Sequence, residues 1–340
     1  MNRAKRIIGI CFAALLLTLT ACGGTGTSNE LTASNANETP EPPETTLQPL
    51  SAMVIKGPSA ISVAELLQKS DSEETNYDIT MVGSPDEVVS AISSESTDVA
   101  IVPTNLAANL YNKTEGDIRM VAITTLGSLY LVSNGVEIND IRELEGKTIY
   151  SGGQGANPQY ILEHLLLQSG LTIEENVFVE YVTEHSEAVA LLATDAAEIV
   201  LLPEPFVTTA LAKNPQSVIA LDISKAWTKE TGNDFAMSCL VARADYLENN
   251  KETVDAFLTE LEASAAFCLS NVEACAQLCV DFGIISDLDT AVAAIPRCQI
   301  VYSDKTEMKA LVEAYYQVLF KANPASIGGS VPDNAFFYEK

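Results

Sequence analysis

Side chains able to do chemistry are few in this 340-residue chain, which has two histidines, His164 and His185, and seven cysteines. His164 lies in the apolar run Tyr160-Ile161-Leu162-Glu163-His164-Leu165-Leu166 and reads as a helix-face residue. His185 precedes Ser186, a helix cap. No Ser/His/Asp order, no H-E-x-x-H and no metal-spaced histidine pair emerges. Beyond Cys11 and Cys22, the cysteines are Cys239, Cys268, Cys275, Cys279 and Cys298, an odd set that cannot all pair within one chain. Cys275 and Cys279 share a helical face at i, i+4, but without a second Cys or His pair they read as small buried hydrophobes rather than zinc ligands. One disulfide involving Cys298 stays open. The expectation is no catalysis, no metal and no cofactor.

Binding chemistry is better represented, and it sits in loops. Gly57-Pro58-Ser59 follows an apolar run and opens a helix, where glycine admits close backbone approach and free N–H groups face outward. Pro103-Thr104-Asn105 repeats the arrangement and offers the Thr104 hydroxyl and the Asn105 amide. Gly152-Gly153-Gln154-Gly155-Ala156-Asn157-Pro158 is a third loop, with Gly153, Gln154, Gly155 and Asn157 as candidates. It lacks the G-x-G-x-x-G spacing of a dinucleotide site and the Gly-Lys-Ser/Thr of a P-loop. Pro203-Glu204-Pro205 puts a carboxylate between two stiff residues, and Gly127 and Ser128 lie at a presumed crossing. Each loop also reads as an ordinary connector, and Glu204 as a helix cap. Past residue 21 the arginines are Arg119, Arg142, Arg243 and Arg297, none in a candidate loop; Lys56 is the single cation beside one. That pattern leans against a strongly anionic ligand, which favours charge-assisted donors, although helix N-termini could still hold an anion. Glu204 is suited to an amine or a heterocyclic N–H. Trp227, Phe206, Tyr130 and Tyr160 are available to stack on a ring or to fill the core.

The elements that position these loops alternate. Short strands are expected at 53–55, 79–82, 98–102, 121–124 and 129–132, with helices after Gly57, Ser84 and Pro103. Pro85 behind Ser84 is a helix start. The grammar restarts with strands at 147–150, 177–182, 198–202 and 218–221 and helices at 159–169 and 186–194. The continuous apolar runs at 98–102 and 198–202 suit strands buried on both faces. A return strand at 238–242 leads to helices near 250–270, 272–281, 287–294 and 304–321, expected to cover the first lobe. Two successive βαβ series make an α/β protein of two similar lobes, with residues 51–128 plus 240–340 in lobe 1 and 129–239 in lobe 2. Strand-like crossings near 127–133 and 236–242 would form a hinge.

With 19 Lys plus Arg against 46 Asp plus Glu, the formal net charge is −27. Nucleic-acid binding through phosphates needs clustered cations and is disfavoured, as is docking on an anionic membrane by charge alone. Residues 1–21 carry a basic start (Arg3, Lys5, Arg6) and an apolar stretch from Ile7 to Leu19, the layout of an export signal and short of the about 20 residues a spanning helix needs. Leu19-Thr20-Ala21-Cys22 is similar to the lipobox of bacterial lipoproteins, which implies a lipid on Cys22. Residues 22–50 would be a disordered spacer, too poor in large apolar groups to offset its ordering entropy and reaching tens of ångströms.

Several segments together resemble a known family. They are Lys56-Gly57-Pro58, Asp98-Val99-Ala100-Ile101-Val102-Pro103-Thr104-Asn105-Leu106-Ala107, Leu144-Glu145-Gly146-Lys147-Thr148-Ile149, Leu202-Pro203-Glu204-Pro205-Phe206 and Asn323-Pro324-Ala325-Ser326-Ile327-Gly328-Gly329. In this order, over about 53–337, the chain resembles the solute-binding proteins of ATP-driven importers, in the branch for sulfonates, taurine, nitrate and thiamine-pyrimidine precursors. The resemblance implies a type II periplasmic-binding-protein-like fold, two mixed sheets flanked by helices and joined by two crossings. It further implies a monomer held outside the cytoplasm on the bacterial cell membrane by a lipid anchor. That protein would capture a small molecule between its lobes and deliver it to an ABC-type permease and its ATPase. Alternatives are a ligand-free lipoprotein scaffold and an enzyme like the thiamine-pyrimidine synthase of similar lobes, whose Cys-rich iron motif is missing here.

Overall fold

The computed structural model describes residues 47–72 and 74–339. The export signal, Cys22 and the spacer as far as residue 46 lie outside the described residues. Eleven strands are described: β1 Leu50–Ile55, β2 Tyr77–Val82, β3 Val99–Pro103, β4 Ile118–Leu126, β5 Leu129–Asn134, β6 Thr148–Ser151, β7 Phe178–Tyr181, β8 Ile199–Pro203, β9 Ser217–Asp222, β10 Ala236–Arg243 and β11 Ile300–Ser303. They form two mixed sheets, one in the order β11-β4-β10-β3-β1-β2 and one in the order β7-β6-β8-β5-β9. In the first, β1 runs parallel to β2 and β3, while β10 is antiparallel to β3 and β4. In the second, β6 is parallel to β7 and β8, and β5 is antiparallel to β8 and β9. Helices flank both sheets, giving an α/β fold of two lobes.

The apolar runs become the central strands because only there are both faces covered. Ala100, Ile101 and Val102 of β3 and Ile199 to Leu202 of β8 are buried. Ser84 and Pro85 start the helix Pro85–Ser93, and the Glu87 side chain accepts from the Ser84 backbone N–H at 3.1 Å. Strand β1 begins earlier than the sequence pattern suggests. Leu50 pairs in register with Tyr77 and is enclosed in the core, so it belongs to the sheet and not to the spacer.

The stretches expected to cross between lobes are themselves strands. Most of 127–133 is β5, inside the second sheet, and 236–242 is β10, inside the first. The chain passes between sheets at Gly127–Ser128, and again after the helix Ile223–Thr231, arriving at Phe235. The two passages touch: Gly127 N–H donates to Phe235 C=O at 3.0 Å. A Cβ on Gly127 would lie 2.4 Å from the Phe235 ring, closer than packed atoms approach, so glycine is required there. The helix Ile223–Thr231 and strand β11 had no signal in the residue pattern.

Beside the crossing an aromatic cluster joins the lobes. Trp227 packs on His164, Phe235 and Tyr315 with ring centroids 5.1, 5.6 and 5.5 Å apart. Trp227 is 1% exposed, so the chain's one tryptophan is core rather than a stacking platform. The helices Lys251–Ser270, Val272–Asp281 and Leu288–Ala294 pack on the first sheet's other face, whereas Lys305–Ala322 also reaches helix Asn157–Gln168 of the second lobe. All five described cysteines are free and buried, so the disulfide left open for Cys298 is not formed; burial pushes the Cys239 and Cys298 thiols well above their usual range. No single described helix is long and apolar enough to cross a membrane.

Trp227 contributes apolar burial and edge-to-face ring contacts to both lobes at once. Trp227→Ala is expected to cost about 3–5 kcal/mol of stability, measured by urea unfolding followed by far-ultraviolet circular dichroism.

Candidate functional site

The loops at the carboxyl ends of β3 and β6 meet across the lobe boundary. Thr104 and Asn105 occupy the first turn of helix Thr104–Lys113, directly after β3. Asn105 Nδ2 donates to Gly155 C=O at 3.0 Å. Asn157, at the start of helix Asn157–Gln168, donates from Nδ2 to Met237 C=O at 2.7 Å and to Thr104 Oγ1 at 3.2 Å, and its Oδ1 accepts from Tyr315 O–H at 2.7 Å. Thr104 Oγ1 donates onward to Ala236 C=O at 2.7 Å, and Tyr316 O–H donates to Thr104 C=O at 2.8 Å. Thr104, Asn105 and Asn157 are all buried, so these bonds replace water at no fewer than four chain segments.

A second meeting point lies at the crossing. Ser128 C=O accepts from Glu204 N–H at 3.0 Å. Glu204 is fully enclosed, with Oε1 2.8 Å from Arg297 Nε and Oε2 accepting from Thr208 N–H at 3.1 Å and Thr208 Oγ1 at 2.9 Å. Burial pushes its carboxyl upward in pKa, opposed by Arg297 and the two Thr208 bonds. The Glu204 carboxylate, expected to await an amine or a ring N–H, is therefore occupied by Arg297 and by the cap of helix Phe206–Lys213. Pro205 is buried at the start of that helix.

Among the other candidates, the Gly57 loop stands apart. Gly57 is buried and Pro58 and Ser59 half-buried at the end of β1, in the first lobe. Gln154 and Gly155 are exposed, and Gly153 is half-buried beside Pro158. Of the buried polar atoms at the meeting points, Glu204 Oε1 and Arg297 Nε have each other as an ion pair, whereas Asn105 Oδ1 and Ser128 Oγ have neither a hydrogen bond nor an ion pair. Leaving such an atom unpaired costs about 1–3 kcal/mol, so each marks a place where an incoming group would be favoured.

Arg297, His185 and Tyr315 join the site without a sequence signal that pointed there. Arg297 lies far along the chain from Glu204, so no spacing links them. His185 follows β7 and packs 5.2 Å, centroid to centroid, from Phe206. A Cβ on Gly152 would lie 2.7 Å from His185 Nδ1, which explains the glycine. The His185 Nδ1 is buried and unpartnered, and burial lowers its pKa to about 4.

Two cavities open nearby. One of about 190 Å³ sits at the crossing, bordered by Gly127, Tyr130, Asp222, Asp234, Phe235 and Gln299. One of about 570 Å³ lies within the second lobe, bordered by Arg142, Leu165, Leu221, Lys225 and Lys229. Of the candidate loop residues only Gly127 borders either. Tyr130 thus faces a cavity, while Tyr160 is buried and Phe206 half-buried.

Two α/β lobes joined at a crossing, with strand-end loops opposed across the boundary, define the class of two-lobed binding proteins. A family model described as NMT1/THI5 like matches residues 73–274, more than half of the chain, and the chain belongs to that family. No curated protein matches. Among solved structures, an ABC transporter from Parabacteroides distasonis is similar with 25% identity and a TM-score of 0.73, over 86% of this chain and 99% of that one. The periplasmic aliphatic sulphonate binding protein SsuA from Escherichia coli shares 14% identity and a TM-score of 0.68, over 86% and 93%. The periplasmic nitrate-binding protein NrtA from Synechocystis shares 14% and 0.58, over 77% and 74%.

Because His185 is held neutral, acid acts on it through folding. Between about pH 6.5 and pH 4 the unfolded chain binds a proton that folded His185 refuses, so stability falls as pH drops through that window. The contribution reaches about 3 kcal/mol at the acid end and vanishes above pH 7. His185→Gln is expected to flatten this part of the stability–pH curve, read from urea midpoints at matched pH values.

Proposed function

We propose that this chain is the solute-capturing component of an ABC-type importer. In this reading residues 1–21 direct export, a lipid on Cys22 anchors the protein to the cell membrane, and the permease and its ATPase receive the captured molecule. The observation that carries it is the opposition of strand-end loops from two sheets, bridged by Asn105 and Gly155, where open α/β sheets bind ligands. Thr104, Asn105, Gly127, Ser128, Gly153, Gln154 and Gly155 would border the ligand, with Gly57, Pro58 and Ser59 as outlying members at the end of β1. Asn157 would order the loops rather than touch the ligand, since its amide is fully used, and Glu204 and Pro205 would shape the crossing. Support comes from the fold shared with the Parabacteroides, SsuA and NrtA structures. The NMT1/THI5-like family also includes synthases; capture without catalysis is the reading most of its members support.

Ligand contacts made to both lobes exist only when the lobes are together, so binding shifts the population toward closure. Arg297, the arginine brought to these loops, is occupied by Glu204. A neutral or donor-bearing molecule therefore suits the site better than a sulfonate or nitrate. A thermal-shift screen of sulfonates, nitrate, bicarbonate, heterocycles, amines and amino acids tests this. At 100-fold excess over Kd a true ligand adds about 2.7 kcal/mol of stability. Asn105→Ala is expected to weaken binding of the hit about tenfold with a melting point near that of the parent without ligand. A sulfonate hit would reverse the assignment of charge, and an unaltered affinity would take the Asn105 loop out of the site.

A further inference from the structure

Glu204 follows β8 in the second lobe, and Arg297 ends the 3-10 turn Ile295–Arg297 in the first. Their 2.8 Å ion pair is tied to a third group, because Arg297 Nη2 donates to Thr208 Oγ1, which donates to Glu204 Oε2. The enclosed carboxylate has no access to water, so separation from Arg297 would leave a buried charge supported by Thr208 alone, a strongly unfavourable state. Both partners stand close to the link between lobes. Glu204 N–H donates to Ser128 C=O at 3.0 Å, and Gln299 C=O, two residues past Arg297, accepts from Leu126 N–H at 2.9 Å. Helix Leu288–Ala294, which leads to Arg297, packs on helix Phe206–Lys213, which carries Thr208. When two bodies turn about a link, groups beside the link are displaced least. The Asn105–Gly155 bond, by contrast, ends on an exposed loop.

We propose that Arg297 and Glu204 form a hinge pin, an ion pair between lobes that persists when the lobes separate and holds the axis of their motion at Leu126–Ser128. The pin keeps the Glu204 carboxylate paired in both states, so lobe motion does not have to break a buried ion pair, while contacts such as Asn105–Gly155 are the ones made and broken. This inference rests on the two-lobed fold and not on the capture of any solute.

Hydrogen exchange of the full chain without added ligand tests it. The amides of residues 126, 127 and 204 report on the link through the bonds described above, and those of Ala52 and Val54 report on the first sheet. Arg297→Met and Glu204→Gln are expected to speed exchange at the link roughly tenfold or more while leaving β1 unchanged, with Arg297→Lys in between. Glu204→Gln keeps the side-chain shape and serves if Arg297→Met fails to fold. Exchange at the link equal to the parent in both variants, or acceleration of β1 and link alike, would overturn the pin. So would a larger radius of gyration in Arg297→Met by small-angle scattering with no change at the link, because the pair would then be a latch that opening breaks.

Discussion

The amide of Asn157 has to satisfy three partners at once: Thr104 from the first lobe, Met237 just past the second passage, and Tyr315 on the last long helix. It is buried, so each of those bonds stands in place of water, and the loss of any one would leave a polar atom without compensation. Much of the architecture follows from that need. The C-terminal helix Lys305–Ala322 must reach the second lobe to bring Tyr315, strand β10 must begin at Ala236–Met237, and β3 must deliver Thr104 at the same point. The lobes are thereby joined by directional bonds as well as by the apolar cluster around Trp227.

The same logic explains how the candidate site differs from a loose gathering of polar loops. Groups that are fully paired, such as Asn157 and Glu204, serve the joint. Groups with buried atoms left unpaired, Asn105 and Ser128, are the ones with something to gain from a ligand. In a chain of net charge −27, the cation at the crossing is not free to attract an anion, because Glu204 holds it. Long-range repulsion of anions by such a surface adds to that preference.

Much of the fold was legible in the residue pattern. The buried strands β3 and β8, the helix starts at Ser84 and Pro103 and the late run of helices all declared themselves through apolar runs and caps. What escaped had physical causes. Leu50 looks like spacer until Tyr77 is placed beside it, and β11 is too short to show a period. Helix Ile223–Thr231 follows β9 without a break that marks it. The crossings read as strand-like stretches, but the points where the chain changes sheet, at Gly127–Ser128 and just before Phe235, show only once β5 and β10 have their partners in each sheet. In the site, the loops after β3 and β6 were visible from glycine and proline punctuation, but the role of each side chain was not. His185 could be noticed only as one of two histidines, and Arg297 only as an arginine outside the candidate loops.

The sequence by itself determined the alternation of strands and helices, the division into two similar series, the acidic surface and the loops at the strand ends. These are properties of local pattern, set within a few residues by period, capping and composition. Tertiary structure alone decided that Glu204 faces Arg297, that Asn157 is spent on the joint, that Trp227 is core and that the five described cysteines are unpaired. Those outcomes depend on which distant segments share a small volume, and the energy of burying a polar or charged group is set by the partner it meets there and not by its neighbours in the chain.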